Sequence, residues 1–442
     1  MAAACTLVAG FSLRPAPAAV TPGRWVPGDL HVRTTYSGDT CRVTTSGLEC
    51  DDDANGTDAS PASIGVGAID RVKEAEQRGL AFIAITDLDS PSSASSPSAQ
   101  NDPEIDAYKA CHDAPPTPGQ CPVLILDGIE KSLLMHPGSV PGGHALAVGY
   151  SGPFPTDPTP STAWTTTDFT NSVNGALKKI HDAGGLFLAE GPGNPSWKFS
   201  LSSIPVDGYD VWRGLYADQT ELTGAAAADN PQADAKWRTA VTGLAAVGKK
   251  LTAFGGSGAS LLATGSIEGP GQPSVWVYDT FDAPTDPVTW NGVRQAILAG
   301  RVIVSSALPS QAGPLLWLEA VDASNTVSYI AGDSVPGSSK VRVAWSGAPI
   351  GATIRIMGVS FMNGPVQERG TRILVESPSG TGANALFSFP KGAWYRAEMY
   401  LEDDTTSPRS PVPGRDTNGC VAGSCFQDRY AMLALSGTLY GL

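Results

Sequence analysis

IGVGAIDRVKEAEQRG (64–79) runs into AFIAIT (81–86), and that strand-like run ends on Asp87-Leu88-Asp89. The first stretch has the composition of an amphipathic helix that stops at Gly79. The second is a short apolar run of the kind buried on both faces of a sheet. Helix followed by buried strand followed by acids is the unit of an α/β fold whose chemistry sits at strand ends. The same unit recurs on both sides of it. VLILDGIE (123–130), HALAVGY (144–150), GLFLAE (185–190), YDVWRG (209–214) and LTAFGGS (251–257) read as strands. TNSVNGALKKIHDAGG (170–185), ADAKWRTAVTGLAAVGKK (233–250) and TWNGVRQAILAG (289–300) read as helices, the last leading into RVIVSS. This alternation predicts an α/β barrel or sheet with parallel strands.

After about residue 313 the helical period disappears. LLWLEAV, KVRVAWS, TIRIMGVS, TRILVES, ALFSFP and WYRAEMYLE are strand-like runs between turns, which predicts a C-terminal β-sandwich. The expected organisation is therefore an export segment at 1–22, an α/β unit at 23–312 and a β-sandwich at 313–442. Residues 90–103, SPSSASSPSAQNDP, form a low-complexity loop.

Composition narrows the function. The 442 residues carry a net charge of −14, only 16% charged residues, and 50 Gly with 36 Pro. The Gly- and Pro-rich composition excludes a coiled coil and a helical bundle, and a nucleic-acid binder is excluded because no stretch concentrates Lys or Arg. The hydrophobic share of 41% is enough for a true core. MAAACTLVAGFSLRPAPAAV has a short apolar run and an Ala-Pro-Ala site near Ala18, which reads as an export signal. The protein is then expected to be secreted or periplasmic, or lipid-anchored through Cys5. No later run is long enough to span a membrane. The remaining six cysteines fall into close pairs, Cys41 and Cys50, Cys111 and Cys121, Cys420 and Cys425, which suits local disulfides in an oxidising compartment. Asp51, Asp53 and Asn55 have the spacing of the first half of a calcium loop, though position 12 is Ala62 rather than Glu. Asn55-Gly56-Thr57 matches a glycosylation triplet.

Strand ends carry the polar residues that matter: Asp29, His31 and Arg33; Asp87 and Asp89; Glu130; His144; Glu190; Trp212 and Arg213; Ser257 to Ser260. Acids and histidines gathered at one end of a barrel are the raw material of a metal hydrolase. In order and wording these segments resemble the PHP (polymerase and histidinol phosphatase) superfamily, and within it the CehA/McbA-type metallohydrolases. WVPGDLHVRTTYSGD is similar to the family's opening DLHxHTxxSxD motif, AITDLDS to its ITDH segment, and DGIEKS with GGHALAVGY to its Gly-x-Glu and Gly-His segments. HDAGGLFLAEGPGNPSW is similar to GGL…AHP, YDVWRG to EVWNG, and AFGGSGAS to GGSDAH. The resemblance covers about 28–442 and implies a distorted PHP-type (β/α) barrel.

It also implies a metal centre that this chain has largely lost. Of the family's ligand positions His31, Glu130 and His144 are kept. The others fall on Arg33, Leu88, Glu190 or Gly191, Gly258 and Ser260. The whole chain has five histidines, and a multinuclear cluster of this type would consume most of them. Arg33 sets a permanent cation where a metal would stand, within reach of Asp29, Asp87 or Glu130. Two functions follow. One is a pseudoenzyme or ligand-binding protein that takes a small polar or anionic ligand at Arg33, Arg213, Asp29 and Trp212. The other is a hydrolase of an ester, carbamate or phosphoester, with one Zn²⁺ or Mn²⁺ on His31, Glu130 and His144 and with Asp87 or Glu190 as general base.

Overall fold

The computed structural model describes residues 22–34, 41–44, 47–50, 67–88, 102–117, 119–134, 141–151, 154, 166–190, 205–213, 229–258, 269–283, 285–311, 313–322, 324–401 and 431–441. The first half holds β1 (Arg24–Val32), β2 (Cys41–Thr44), β3 (Gly47–Cys50), α1 (Ala68–Gln77), β4 (Phe82–Ile85), α2 (Pro103–Asp113), β5 (Leu124–Leu134) and β6 (Pro141–Val148). It continues with α3 (Thr166–Asp182), β7 (Leu186–Glu190), β8 (Gly208–Arg213), α4 (Asp229–Ala246), β9 (Thr252–Gly256), β10 (Ser274–Asp279), α5 (Trp290–Ala299) and β11 (Val302–Ser305). The rest is β-rich: β12 (Leu315–Val321), β13 (Val327–Ile330), β14 (Ser334–Val335), β15 (Gly337–Ser346), β16 (Thr353–Val359), β17 (Gln367–Leu374), β18 (Gly380–Phe389), β19 (Trp394–Leu401) and β20 (Ala431–Gly441).

Among the described residues one sheet runs β17-β16-β19-β20-β11-β10-β1-β4-β5-β6-β7-β8-β9, with β14 beside β20. The expectation of parallel strands needs correction, because the sheet is mixed. β1, β4 and β5 are parallel neighbours, as are β7, β8 and β9. β6 runs antiparallel between β5 and β7, and β10 runs antiparallel to β1. The physical reason is connection length: β5 and β6 are too close in sequence for the crossover a parallel pair requires.

Burial on both faces explains the apolar runs. Leu30, Phe82, Leu126, Leu146, Leu188, Phe254 and Val277 meet Val293 and Ile297 of α5 in one apolar interior. Side chains from β1, β4, β5, β6, β7, β9 and β10 can share that interior only if the sheet curls. The curl brings the end of β9 back to β1. A Cβ on Gly256 would lie 2.5 Å from the His31 Cβ, so only glycine permits that approach. Gly258 N–H then donates to the His31 carbonyl at 3.0 Å. The outer faces are covered by helices: α1 and α2 bury Val72, Ala75 and Ile105 against Ile83, Ile85 and Ile125. α3 and α4 bury Val173, Ile180, Trp237 and Val241 against Phe187, Ala189, Tyr209 and Val211.

α2 and β10 were not expected from the sequence. α2 carries readable signals: Asp102 accepts from Glu104 N–H at 2.9 Å and Pro103 occupies the first turn. Cys111 near its end is disulfide-bonded to Cys121, so the expected local pairing is present there. Cys41 and Cys50 stand opposite each other in the β2–β3 pairing. Residues 1–21, the calcium-loop residues Asp51, Asp53 and Asn55, the triplet at 55–57 and the Cys420–Cys425 pair lie outside the described residues. No helix among the described residues is long and apolar enough to cross a membrane.

The C-terminal part is two layers of strands. A second sheet, β13-β12-β15-β18, buries Leu316, Leu318 and Val343 against Ile354, Ile356, Ala397 and Met399 of the first. That second layer is sandwich-like, but its partner layer continues the main sheet. β20 pairs with β19 on one side and β11 on the other. The joint between α4 and the strands is ionic. Glu398, fully buried, accepts from Arg396 at 2.6 Å, Arg238 at 2.8 Å and Arg355 at 3.0 Å. Arg396 also pairs with Asp234 and lies 4.3 Å over the Trp237 ring. Burial opposes the Glu398 charge, yet the three guanidinium groups hold its carboxyl well below the usual range.

Removing one side of such a cluster strands buried charge. Glu398→Gln should cost about 3–5 kcal/mol in urea unfolding. Asp70→Asn, which breaks the exposed pair with Lys73, should stay within about 0.5 kcal/mol. Similar losses in the two variants would contradict this account of the joint.

Candidate functional site

Residues of β1, β5, β6, β7 and β8 converge on one cluster. β1 delivers Asp29, His31 and Arg33. Glu130 N–H donates to the Asp87 carbonyl at 3.0 Å, and Leu88 bridges to Glu130, so the end of β4 lies against β5. Pairing of β6 with β7 sets His144 opposite Glu190. The parallel β7–β8 pairing sets Leu188 against Gly208 and Ala189 against Tyr209, which brings Asp210 up beside Glu190.

Glu130 is the hub. Its carboxylate is fully buried and accepts Arg33 Nε at 2.8 Å on Oε2 and Arg33 Nη2 at 2.6 Å on Oε1. His31 Nε2 lies 3.1 Å from Oε2, and His144 Nδ1 lies 2.9 Å from Oε1. Burial works against the charge, but Arg33, His144 and His31 together hold Glu130 well below the usual carboxylate range. His144 Nδ1 also reaches Glu190 Oε2 at 3.1 Å. Burial would lower the His144 pKa, but its hydrogen bonds to Glu130 and Glu190 prevail and push it up to about 10. His144 therefore stands as a second fixed cation at neutral pH, partly open to solvent with 31% of its side chain exposed.

Asp87 is occupied differently. It accepts Thr34 N–H at 2.6 Å and Thr34 Oγ1 at 2.8 Å. Both oxygens therefore hold Thr34, just after β1, in place. Arg71 of α1, itself buried, donates from Nε to the Arg33 carbonyl at 3.3 Å and pins the same turn from the helix side.

Two of the expected ligand-contact residues are buried. Asp29 is fully buried and accepts His31 N–H at 2.9 Å, Gly271 N–H at 2.8 Å and Ser257 N–H at 3.2 Å. It ties β1 to the end of β9 from inside, and burial raises its carboxyl pKa despite those donors. Trp212 is 1% exposed and packs in the core with Trp237 and Tyr209. The backbone of Arg213 ends β8, and its side chain lies outside the described residues.

Thus His31, Arg33, Glu130, His144 and Glu190 come together through direct contacts, and Asp87 adjoins them. Asp210 is the addition. A ring nitrogen of His31, a carboxylate oxygen of Glu190 and one of Asp210 lie within 4.8 Å of one another, as do ligand atoms of Glu130, His144 and Glu190. Asp210 is 2% exposed and its Oδ1 accepts Trp212 N–H at 3.1 Å. The signal for it was present, since an acid in YDVWRG stands where the similar EVWNG segment carries its Glu. Comparison with protein-family models, curated proteins and solved structures finds no match for the chain.

The charges fix a pH dependence. His144 has a raised pKa, so its contribution to stability is complete below about 6.5, the unperturbed value. It is lost as pH rises through about 10. The melting temperature of the wild type should fall from pH 6.5 to 10 more steeply than that of His144→Gln, read by circular dichroism. Parallel pH profiles would show that the imidazole is not held as a cation.

Proposed function

We propose that the chain is an exported protein on a PHP-like scaffold, its multinuclear hydrolase centre replaced by fixed ion pairs, and that it binds a small polar ligand at the strand-end mouth. The observation that carries this reading is the two-pronged grip of Arg33 on Glu130. In the similar family that carboxylate bridges metals. Here both of its oxygens accept from the guanidinium and each also contacts a histidine. A permanent cation does the neutralising that metal ions would do, without an open coordination position.

The curl of the sheet and the order of the motifs support the scaffold. The hydrolase with one ion on His31, Glu130 and His144 is less well supported. His144 Nδ1 lies against two carboxylates, so an ion on that nitrogen would have to displace both contacts. An ion at that point would also stand within a few ångströms of Arg33 and be repelled. Nor does the charge balance favour an anionic ligand at the described residues. Glu130, Glu190, Asp210 and Asp87 outnumber Arg33 and His144 there, so a cationic or hydrogen-bond-donating group suits the mouth better.

The test is turnover. With added Mn²⁺ or Zn²⁺, the purified protein should hydrolyse p-nitrophenyl acetate, p-nitrophenyl phosphate and an aryl carbamate no faster than buffer containing the same metal. Saturable hydrolysis that Glu130→Gln abolishes would overturn the binding-protein reading in favour of the enzyme.

A further inference from the structure

The end of α4, the β16–β17 turn and the β18–β19 turn meet at Gly392. A Cβ there would lie 3.1 Å from the Met362 Cα and 3.3 Å from the Ala246 Cα, at a φ of +83° that favours glycine. Trp394 Nε1 donates to Thr242 Oγ1 at 3.0 Å and fixes the helix against β19. Gly364 N–H donates to the Phe361 carbonyl at 3.0 Å, so Phe361–Gly364 is a tight turn that carries Met362 at its tip. Phe361 and Met362, with Val247 just past α4, are each more than half exposed. Leu244 and Val366 of the same segments pack on the interior and hold these tips in place. Large apolar groups gathered at one exposed spot mark an interaction surface.

Charge selects the partner. The chain carries 43 acidic residues against 29 Lys and Arg, yet residues 243–251, 360–366 and 390–393 include no Asp or Glu. They do include Lys249 and Lys391, both exposed. Lys250 turns inward instead, donating to the Gly332 carbonyl and lying over the Tyr440 ring. Phe281 is equally exposed but stands between Asp279 and Asp282, the wrong surroundings for an anionic partner. Apolar tips flanked by ammonium groups complement an anionic lipid surface, where the apolar side chains enter the acyl boundary and the lysines meet the headgroups. A protein of net charge −14 is repelled by such a surface overall, so contact falls to an acid-free corner. We propose that the corner of Val247, Lys249, Phe361, Met362 and Lys391 docks this protein reversibly on an anionic lipid bilayer. β9 begins at Thr252, beside the corner, and its far end at Gly256 lies against His31. The strand-end mouth is therefore turned away from the bilayer and stays open to solution.

The test is co-sedimentation of the full chain with vesicles of phosphatidylglycerol and phosphatidylcholine in equal parts, and with vesicles of phosphatidylcholine alone. Wild type should sediment with the first and not with the second, and salt should weaken the binding. Lys249→Gln with Lys391→Gln should weaken it about twentyfold, from roughly fivefold for each lysine. Phe361→Ser with Met362→Ser should weaken it about tenfold or more. Both double variants should melt with wild type, because all four side chains are exposed. Failure of wild type to sediment with the anionic vesicles would overturn the proposal. Equal binding by wild type and both variants would overturn it too, by placing the contact elsewhere in the chain. So would a wild-type dimer in sedimentation velocity that Phe361→Ser with Met362→Ser dissociates, which would assign the corner to a second copy.

Discussion

A carboxylate with no access to water organises this protein. Glu130 sits at full burial on the strand that neighbours both β4 and β6. An ionised carboxylate there costs several kcal/mol of desolvation unless its surroundings return it. Arg33 from β1 and His144 from β6 do so, and in reaching Glu130 they fix the ends of their own strands. Arg71 holds the turn that carries Arg33, and Asp87 holds the residue after it. The strand ends are thus mutually positioned by charge, while the apolar interior below sets only their spacing. Breaking the Glu130 contacts would disturb several strands at once, since neighbouring parts of a buried network do not act additively.

Much of this was legible in the amino-acid order. Runs such as FIAI, LFLAE and TAFGG are buried along their length, and each was readable as a strand because nothing polar interrupts it. The helices announced themselves by amphipathic spacing and by terminal glycines such as Gly79 and Gly300, both at positive φ. The direction of β6 was not legible. HALAVGY itself reads the same whichever way it runs, and only the short link from β5 to β6 decides its direction. Nor does residue order separate a ligand-facing side chain from a buried tie. Asp29 and Trp212 lie close to site residues in sequence, and simple alternation does not separate them, because the pairing is irregular between Asp29 and Val32 and between Asp210 and Trp212. Asp29 turns to the backbone of β9's end, and Trp212 turns to α4 and its tryptophan. Asp210 is less conspicuous in the sequence than Trp212 and Arg213, and the irregular pairing between Asp210 and Trp212 hides which of them faces the cluster.

The ionic joint around Glu398 repeats the logic of Glu130 at the other end of the sheet. In each place a buried glutamate is surrounded by cations from different elements, and each lies where helix or strand layers meet. Apolar contact would fill these joints equally well but would tolerate sliding. Charge at short range specifies one register, a role for which buried ion pairs have the best precedent. We take the two clusters as the points where the fold trades some stability for a fixed alignment of its layers.

β20 lies between β11 and β19, inside the sheet rather than at its edge. On the ribosome β20, from Ala431, emerges well after β11, which ends at Ser305, so the flank of β11 stays open while the intervening strands are made. That flank is an unsatisfied row of backbone donors and acceptors until Leu435 arrives opposite Val304. Tyr440 then seals the seam through its hydroxyl, which bonds the Leu251 carbonyl at 3.1 Å. The sheet stays unfinished until β20 is delivered. A stalled or clipped product would expose the open flank and mark itself for chaperones or proteases.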